Sequence, residues 1–299
     1  MEMLLHGNAL LALAAAVLWG GGDFSGGMSV KYAGGTMDAA LRVILLSHAV
    51  SFAILLAVAW WRGDAFPHGA ALVWGLVAGV TAGIALACFY VALSRGAMGA
   101  SAALSGLLAA GIPAAVSVGS EGSPGLLRLV GFVVAGVAIW LIAAGPNPEA
   151  TPADRGTIWL AIAAGVGFGI YFVALKFAGS AGVIWPLATA RMGSLALCSL
   201  LVGGMSLLGN SREKGGTTGF RFTRVVVGWA LGGVLLDTSG NLLFLAATRA
   251  GRLDVAAVLA SLYPASTILL AAWMLRERPT LRQGVGMAVA AAAVVMITI

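Results

Sequence analysis

Charge is what this sequence conspicuously lacks. Only 9% of its 299 residues are Asp, Glu, Lys or Arg, while 60% are hydrophobic; a soluble domain carries about 25% charged residues. That balance excludes a water-soluble globular class and makes the chain an integral membrane protein. Histidine is scarcer still. His6, His48 and His68 form no HExxH, and "DTSGN" (237–241) is not a GxSxG nucleophile elbow. No catalytic residue, cofactor or metal is therefore expected, and the chain does not read as an enzyme. The two cysteines, Cys88 and Cys198, lie in separate apolar stretches with no CxxC, which excludes a disulfide framework and leaves them as packing residues. Basic runs are missing too. The net charge of +6 comes from single Lys and Arg residues between apolar blocks, so nucleic acid is not expected as a partner. Such bases orient helices in lipid.

What is present in quantity is apolar length. Segments of the ~20 mostly apolar residues needed to cross a bilayer fall at residues 8–30, 37–59, 70–93, 97–120, 125–144, 157–177, 183–208, 225–247, 253–274 and 281–299. Each is expected to be a helix, because a helix satisfies its own backbone in lipid and the alternation of barrel strands is absent. The first segment lacks a positive n-region and runs into further apolar spans, so it is expected to be retained. Trp60, Trp61, Trp74, Trp140, Trp159, Trp185, Trp229 and Trp273 fall near span ends, where an amphipathic ring favours the headgroup level. Trp19 alone sits deep in a span.

The chain also echoes itself. "AAAVLWGG" (14–21) returns as "AAGVGFGI" (163–170) and "LRVILLSH" (41–48) as "ARMGSLAL" (190–197), matching Trp19 to Phe168 and Arg42 to Arg191 at an offset of 149 residues. "FYVALSRGAMGASAAL" (89–104) resembles "LFLAATRAGRLDVAAVL" (243–259), Pro113 anticipates Pro264, and "EGSPGLLRLVG" (121–131) anticipates "ERPTLRQGVG" (277–286). The order of these echoes sets out a five-span unit at 1–145, a linker at 146–156 and a second unit at 157–299. Two odd-numbered units joined by a short loop enter the membrane in opposite senses. The expected fold class is therefore all-α: ten transmembrane helices as two inverted five-helix repeats around a central cavity, the architecture of secondary transporters.

"LASLYPASTILLAAWMLRERPTLRQGVGMAVAAAAVVMITI" (259–299) closely resembles the last two helices, and "FGIYFVALKFAG" (168–179) the opening helix, of an EamA repeat. By these segments the chain resembles the ten-helix, EamA-type exporters of the drug/metabolite transporter superfamily. The first half departs from the pattern, with Gly27 where the second half has Lys176. The resemblance implies a cavity between two halves, cytoplasmic termini, and multi-pass inner-membrane export of small metabolites, most often amino acids. Counting bases points the other way for the termini, since Arg212, Lys214, Arg221, Arg224, Arg276, Arg278 and Arg282 all fall on the opposite face. Apolar or aromatic amino acids are the favoured substrates, drug or other metabolite efflux is the alternative, and a membrane scaffold is the non-transporting one. A channel lining and the clustered bases of a sugar-nucleotide carrier are both missing. Lipid is the expected surrounding and a monomer the expected state.

Ionisable groups inside spans are the next filter, since each costs at least about 2.5–3.5 kcal/mol near the bilayer centre. Asp23, in the glycine-rich "WGGGDFSGGMSVKYAGG" (19–35), and Asp237, sharing a helix face with Asn241, are expected to bind a substrate amine or a coupling proton. Trp19, Ser25, Tyr90, Tyr171, Asn241 and Tyr263 complete the expected substrate-binding set. Gly20, Gly26, Pro113 and Pro264 are the expected hinge or kink positions. Arg42 and Arg191 are expected to share a structural role at the two membrane faces, and Lys176 to snorkel from a helix end.

Overall fold

The computed structural model describes residues 2–95, 98–143, 155–209, 222–274 and 280–298. Among the described residues there are eleven α-helices and no strand: α1 (Glu2–Tyr32), α2 (Met37–Arg62), α3 (Ala70–Ser94), α4 (Met98–Glu121), α5 (Leu126–Ala143), α6 (Arg155–Ala178), α7 (Ile184–Gly209), α8 (Arg224–Ala250), α9 (Leu253–Ala260), α10 (Tyr263–Met274) and α11 (Leu281–Thr298). Eight of the apolar helical stretches are long enough to cross a membrane, and two shorter ones, Leu126–Ile142 and Leu253–Thr267, complete the ten expected spans. Most of the linker 146–156, Glu277, Pro279 and the bases Arg212, Lys214, Arg221, Arg276 and Arg278 lie outside the described residues.

Local chemistry sets several helix ends. Thr36 accepts from the Ala39 N–H at 3.1 Å and Thr223 from the Val226 N–H at 3.2 Å, each capping a free donor of the first turn. Gly63 ends α2 at φ +67°, a left-handed conformation only glycine adopts freely. Span nine differs from the continuous helix expected for residues 253–274. It breaks at Ser261–Leu262, and Pro264 stands in the first turn of α10, where its missing N–H is harmless. Pro113 does not break α4, which runs on to Glu121, so proline alone does not set the interruption.

The long outer faces carry exposed Val17, Val133, Leu200, Leu207 and Leu281, as contact with acyl chains requires. Trp60, Trp61, Trp159 and Trp273 are exposed near helix ends, whereas Trp185 is buried, donating to the Asp64 carbonyl at 2.9 Å and packing edge-on against Phe66. Inside, α1 lies along α8 and α3 along α6, α2 faces α7, and α5 faces α11. Small residues set the separations. Gly22 meets the Asp237 backbone, Gly233 meets Ser25, and Gly240 meets the Trp19 ring. The helix α1 runs unbroken through Gly20 and Gly26, which lie against Ser266 of α10 and the Tyr90 ring. Ser266 and Thr267 then donate to the Ala16 and Gly20 carbonyls at 3.0 and 3.2 Å.

A side chain forced into one of these contacts has nowhere to go. A Cβ on Gly79 would run into the Ala190 carbonyl of α7, whereas a Cβ on Gly111 would meet nothing within 4 Å. Gly79→Val is expected to destabilise the protein by about 1–3 kcal/mol, read as a lower unfolding temperature in detergent, while Gly111→Ala leaves that temperature unchanged or higher.

Candidate functional site

Asp237 is thirteen residues from either end of α8, or about 20 Å at the helical rise. A carboxylate at that depth needs a cation. Arg191 of α7 supplies it, with Nη2 2.5 Å from the Asp237 Oδ2 and only 2% of its side chain exposed. The same guanidinium donates through Nε to the Ser51 hydroxyl at 3.1 Å and lies through Nη1 2.8 Å from His48 Nε2. Guanidinium cannot accept, so His48 Nε2 is the acceptor and its proton sits on Nδ1, which faces the Ser194 hydroxyl at 2.7 Å. The His48 ring is neutral in this arrangement. Ser51 is bonded in turn to Thr238 at 2.7 Å.

One helical turn beyond Asp237, Asn241 donates to the Asp237 carbonyl at 2.7 Å and to its Oδ1 at 2.9 Å. Its own Oδ1 accepts from the Tyr171 hydroxyl at 2.5 Å. The i, i+4 face expected for Asp237 and Asn241 is thus formed, and the network joins α2, α6, α7 and α8.

This network forms one wall of a cavity lined by Trp19, Asp23, Phe168, Tyr171, Phe172, Arg191, Asp237, Asn241 and Tyr263, among others, with an empty volume of about 460 Å³ including its opening. Trp19 stacks on Phe172 with centroids 5.2 Å apart and planes 7° from parallel, and Phe172 packs on Phe244 at 4.7 Å. Asp23 and Trp19, four residues apart on α1, look into the same space. Asp23 has no hydrogen-bond or ion-pair partner among the described residues. The Tyr263 hydroxyl, on a residue 5% exposed, is also unpartnered.

A second chamber shares Leu86 and Asp237 with the first and is lined by Gly22, Gly26, Ser47, His48, Tyr90 and Gly233. These residues lie toward the end where α1 finishes and α2 and α8 begin. The opposite end is tied by polar contacts. Lys176 lies 3.3 Å from Glu121 and donates to the Thr248 carbonyl at 2.8 Å, while Arg252 donates to the Glu121 and Gly122 carbonyls at 3.2 and 2.7 Å.

Of the expected substrate-binding residues, Trp19, Asp23, Tyr171, Asp237, Asn241 and Tyr263 line the larger chamber and Tyr90 the smaller. Ser25 lines neither, because its hydroxyl turns back to the Gly21 carbonyl at 2.8 Å. Lys176 is paired rather than snorkelling, since Glu121 and a free carbonyl lie within its reach. The shared role expected of Arg42 and Arg191 does not hold. Arg42 pairs with Asp38 one turn away at 2.8 Å, with a third of its side chain exposed. At the matching place α7 has Leu187, so Arg191 has no local carboxylate and reaches inward. His48, Ser51 and Ser194 were missed altogether, because a lone histidine and two serines carry no pattern until the helices meet.

Removing either partner of a buried pair strands the other charge. Arg191→Met and Asp237→Asn are each expected to destabilise the protein by about 3–5 kcal/mol, measured by equilibrium unfolding in mixed micelles. The double variant recovers most of that loss, whereas additive losses would show that the pair is not coupled.

Three comparisons bear on identity. No curated protein matches the chain. A solved structure described only as "Crystal structure of protein" aligns with 97% of this chain and 95% of its own at a TM-score of 0.67 and 16% identity, a likeness of fold alone. Residues 155–299 match the model of the EamA-like transporter family. The second half of the chain is an EamA-like transporter domain, and its long apolar helices make the chain a multi-pass membrane protein.

Proposed function

We propose that this protein is a secondary transporter that exports small amino-bearing metabolites across the inner membrane, apolar and aromatic amino acids foremost, by alternating access. The observation that carries the reading is the cavity beside Asp237, built from both halves of the chain, with an aromatic wall and the unpaired carboxylate of Asp23. An ammonium group suits that carboxylate, and an apolar side chain suits the wall.

The packing supports an inverted repeat with units 1–145 and 157–299. Exchanging the halves turns the α1–α8 pair into the α6–α3 pair and returns α2–α7 and α5–α11 to themselves. Rocking of one unit against the other then opens each face in turn. The Lys176–Glu121 and Arg252 contacts close the end that carries the start of α1, and the smaller chamber extends from Asp237 toward the other end.

Between the two candidate proton sites, Asp23 is favoured. Asp237 is committed to Arg191, whereas Asp23 must be neutralised by a proton or by a substrate cation, and the two compete for one carboxylate. The aromatic lining also favours a second reading, efflux of bulky apolar drugs or other metabolites.

Proteoliposomes are expected to show counterflow of at least one apolar or aromatic amino acid from a full panel; movement of none would reject the substrate class. An imposed pH gradient is expected to drive accumulation by the wild type and not by Asp23→Asn, in which exchange of substrate for substrate survives only at raised substrate concentration. An unchanged gradient response in Asp23→Asn would remove Asp23 as the coupling site.

A further inference from the structure

The polar groups of the larger chamber fall into two sets. Arg191, Asp237, Asn241 and Tyr171 are satisfied by one another and by α2: the guanidinium is engaged through Nε with Ser51, Nη1 with His48 and Nη2 with Asp237, the Asn241 nitrogen bonds Asp237, and its oxygen accepts from Tyr171. The second set is without hydrogen-bond or ion-pair partners among the described residues. It comprises the Asp23 carboxylate and the Tyr263 hydroxyl, which line the cavity from the neighbouring helices α1 and α10. Ser105 lies near the Tyr263 hydroxyl without closing a hydrogen bond of ordinary geometry, and the Ser261 hydroxyl at the break of span nine is also unpartnered. The positive charge of Arg191 and the negative charge of Asp237 cancel, so the ionisable group left for a ligand is the Asp23 carboxylate, which is negative once it gives up its proton.

We propose that this cavity recognises a protonated amine on an apolar or aromatic body through Asp23 and Tyr263, and that a carboxylate on the same ligand is not read. The inference rests on the transport reading of the same cavity and deepens it by naming which end of an amino compound is recognised. An ammonium group brings three donors, which the Asp23 oxygens and the Tyr263 hydroxyl can accept. The faces of Trp19, Phe168 and Phe172 take the apolar body and add a cation–π attraction for a nearby ammonium. A ligand carboxylate finds no such reception. Among the described residues the one cation lining the chamber is Arg191, and to reach it a carboxylate must displace Asp237, leaving a second unpaired carboxylate beside Asp23. Specificity then follows from an unpaired group that only one head group satisfies.

Three ligands sharing a phenyl body separate the possibilities: 2-phenylethylamine has the ammonium alone, phenylalanine both charges, and 3-phenylpropionate the carboxylate alone. Equilibrium binding of radiolabelled 2-phenylethylamine to the purified full-length protein in detergent is the measurement. The amine is expected to bind at least as tightly as phenylalanine competes, and 3-phenylpropionate not to compete. Asp23→Asn is expected to weaken amine binding by about tenfold or more and Tyr263→Phe by about three- to tenfold, with Asp23→Glu retaining most of the affinity. The unfolding transition of each variant shows that a lost signal is not lost fold.

Displacement of the amine by 3-phenylpropionate as effectively as by phenylalanine, or wild-type affinity in Asp23→Asn, would overturn the assignment. Phenylalanine counterflow without amine binding would overturn this inference and leave the transport reading intact. Amine binding that depends on Asp23, with no transport of any amino compound, would support the site and overturn the transport reading. Absence of both in folded protein would overturn both.

Discussion

The contact between Arg191 and Asp237 is the constraint around which the rest of the interior is arranged. An arginine that is 2% exposed inside a membrane helix is tolerable only if its charge is cancelled and its donors are filled. One carboxylate cancels the charge. Filling the donors calls on Ser51 and His48 from α2, and these in turn call on Thr238 and Ser194. A single buried cation thereby fixes the relative positions of α2, α7 and α8. Asn241 extends the set to Tyr171 of α6, so one face of the cavity is already rigid before any ligand arrives.

The α1 side of the cavity is built on another rule. Glycines along α1 let it sit against the backbone of α8 and the hydroxyls of α10, and that close approach carries Asp23 and Trp19 into the cavity. Glycine in "WGGGDFSGGMSVKYAGG" costs helix propensity, and close packing offsets it. The two halves therefore contribute differently. The second half brings a neutralised, fully bonded charge pair, and the first half a carboxylate with no partner among the described residues.

How much of this could be read from the residues depended on the range of the force involved. Spans were legible because hydropathy over ~20 residues is a local quantity, and the ten expected segments recur with shifts of a few residues at most ends. The face shared by Asp237 and Asn241 was legible because i, i+4 is geometry within one helix. The interruption of span nine was only half legible: Pro264 marked the region, but the turn falls at Ser261–Leu262, and Pro113 in the matching helix produces none. Arg191 was misjudged because its partner is 46 positions away on another helix, while the matching Arg42 has a carboxylate one turn away. His48 carried no signal at all, since its role exists only once α2 and α7 meet.

These pieces make one claim: in a cavity with two carboxylates and one arginine, the arginine belongs to Asp237 and the ligand to Asp23. A structure of the full-length protein with an aromatic amino acid bound tests it most directly. The account predicts the ligand ammonium against Asp23, its ring along Trp19 and Phe168, and the Arg191–Asp237 contact unbroken. A ligand carboxylate inserted between Arg191 and Asp237 would contradict it.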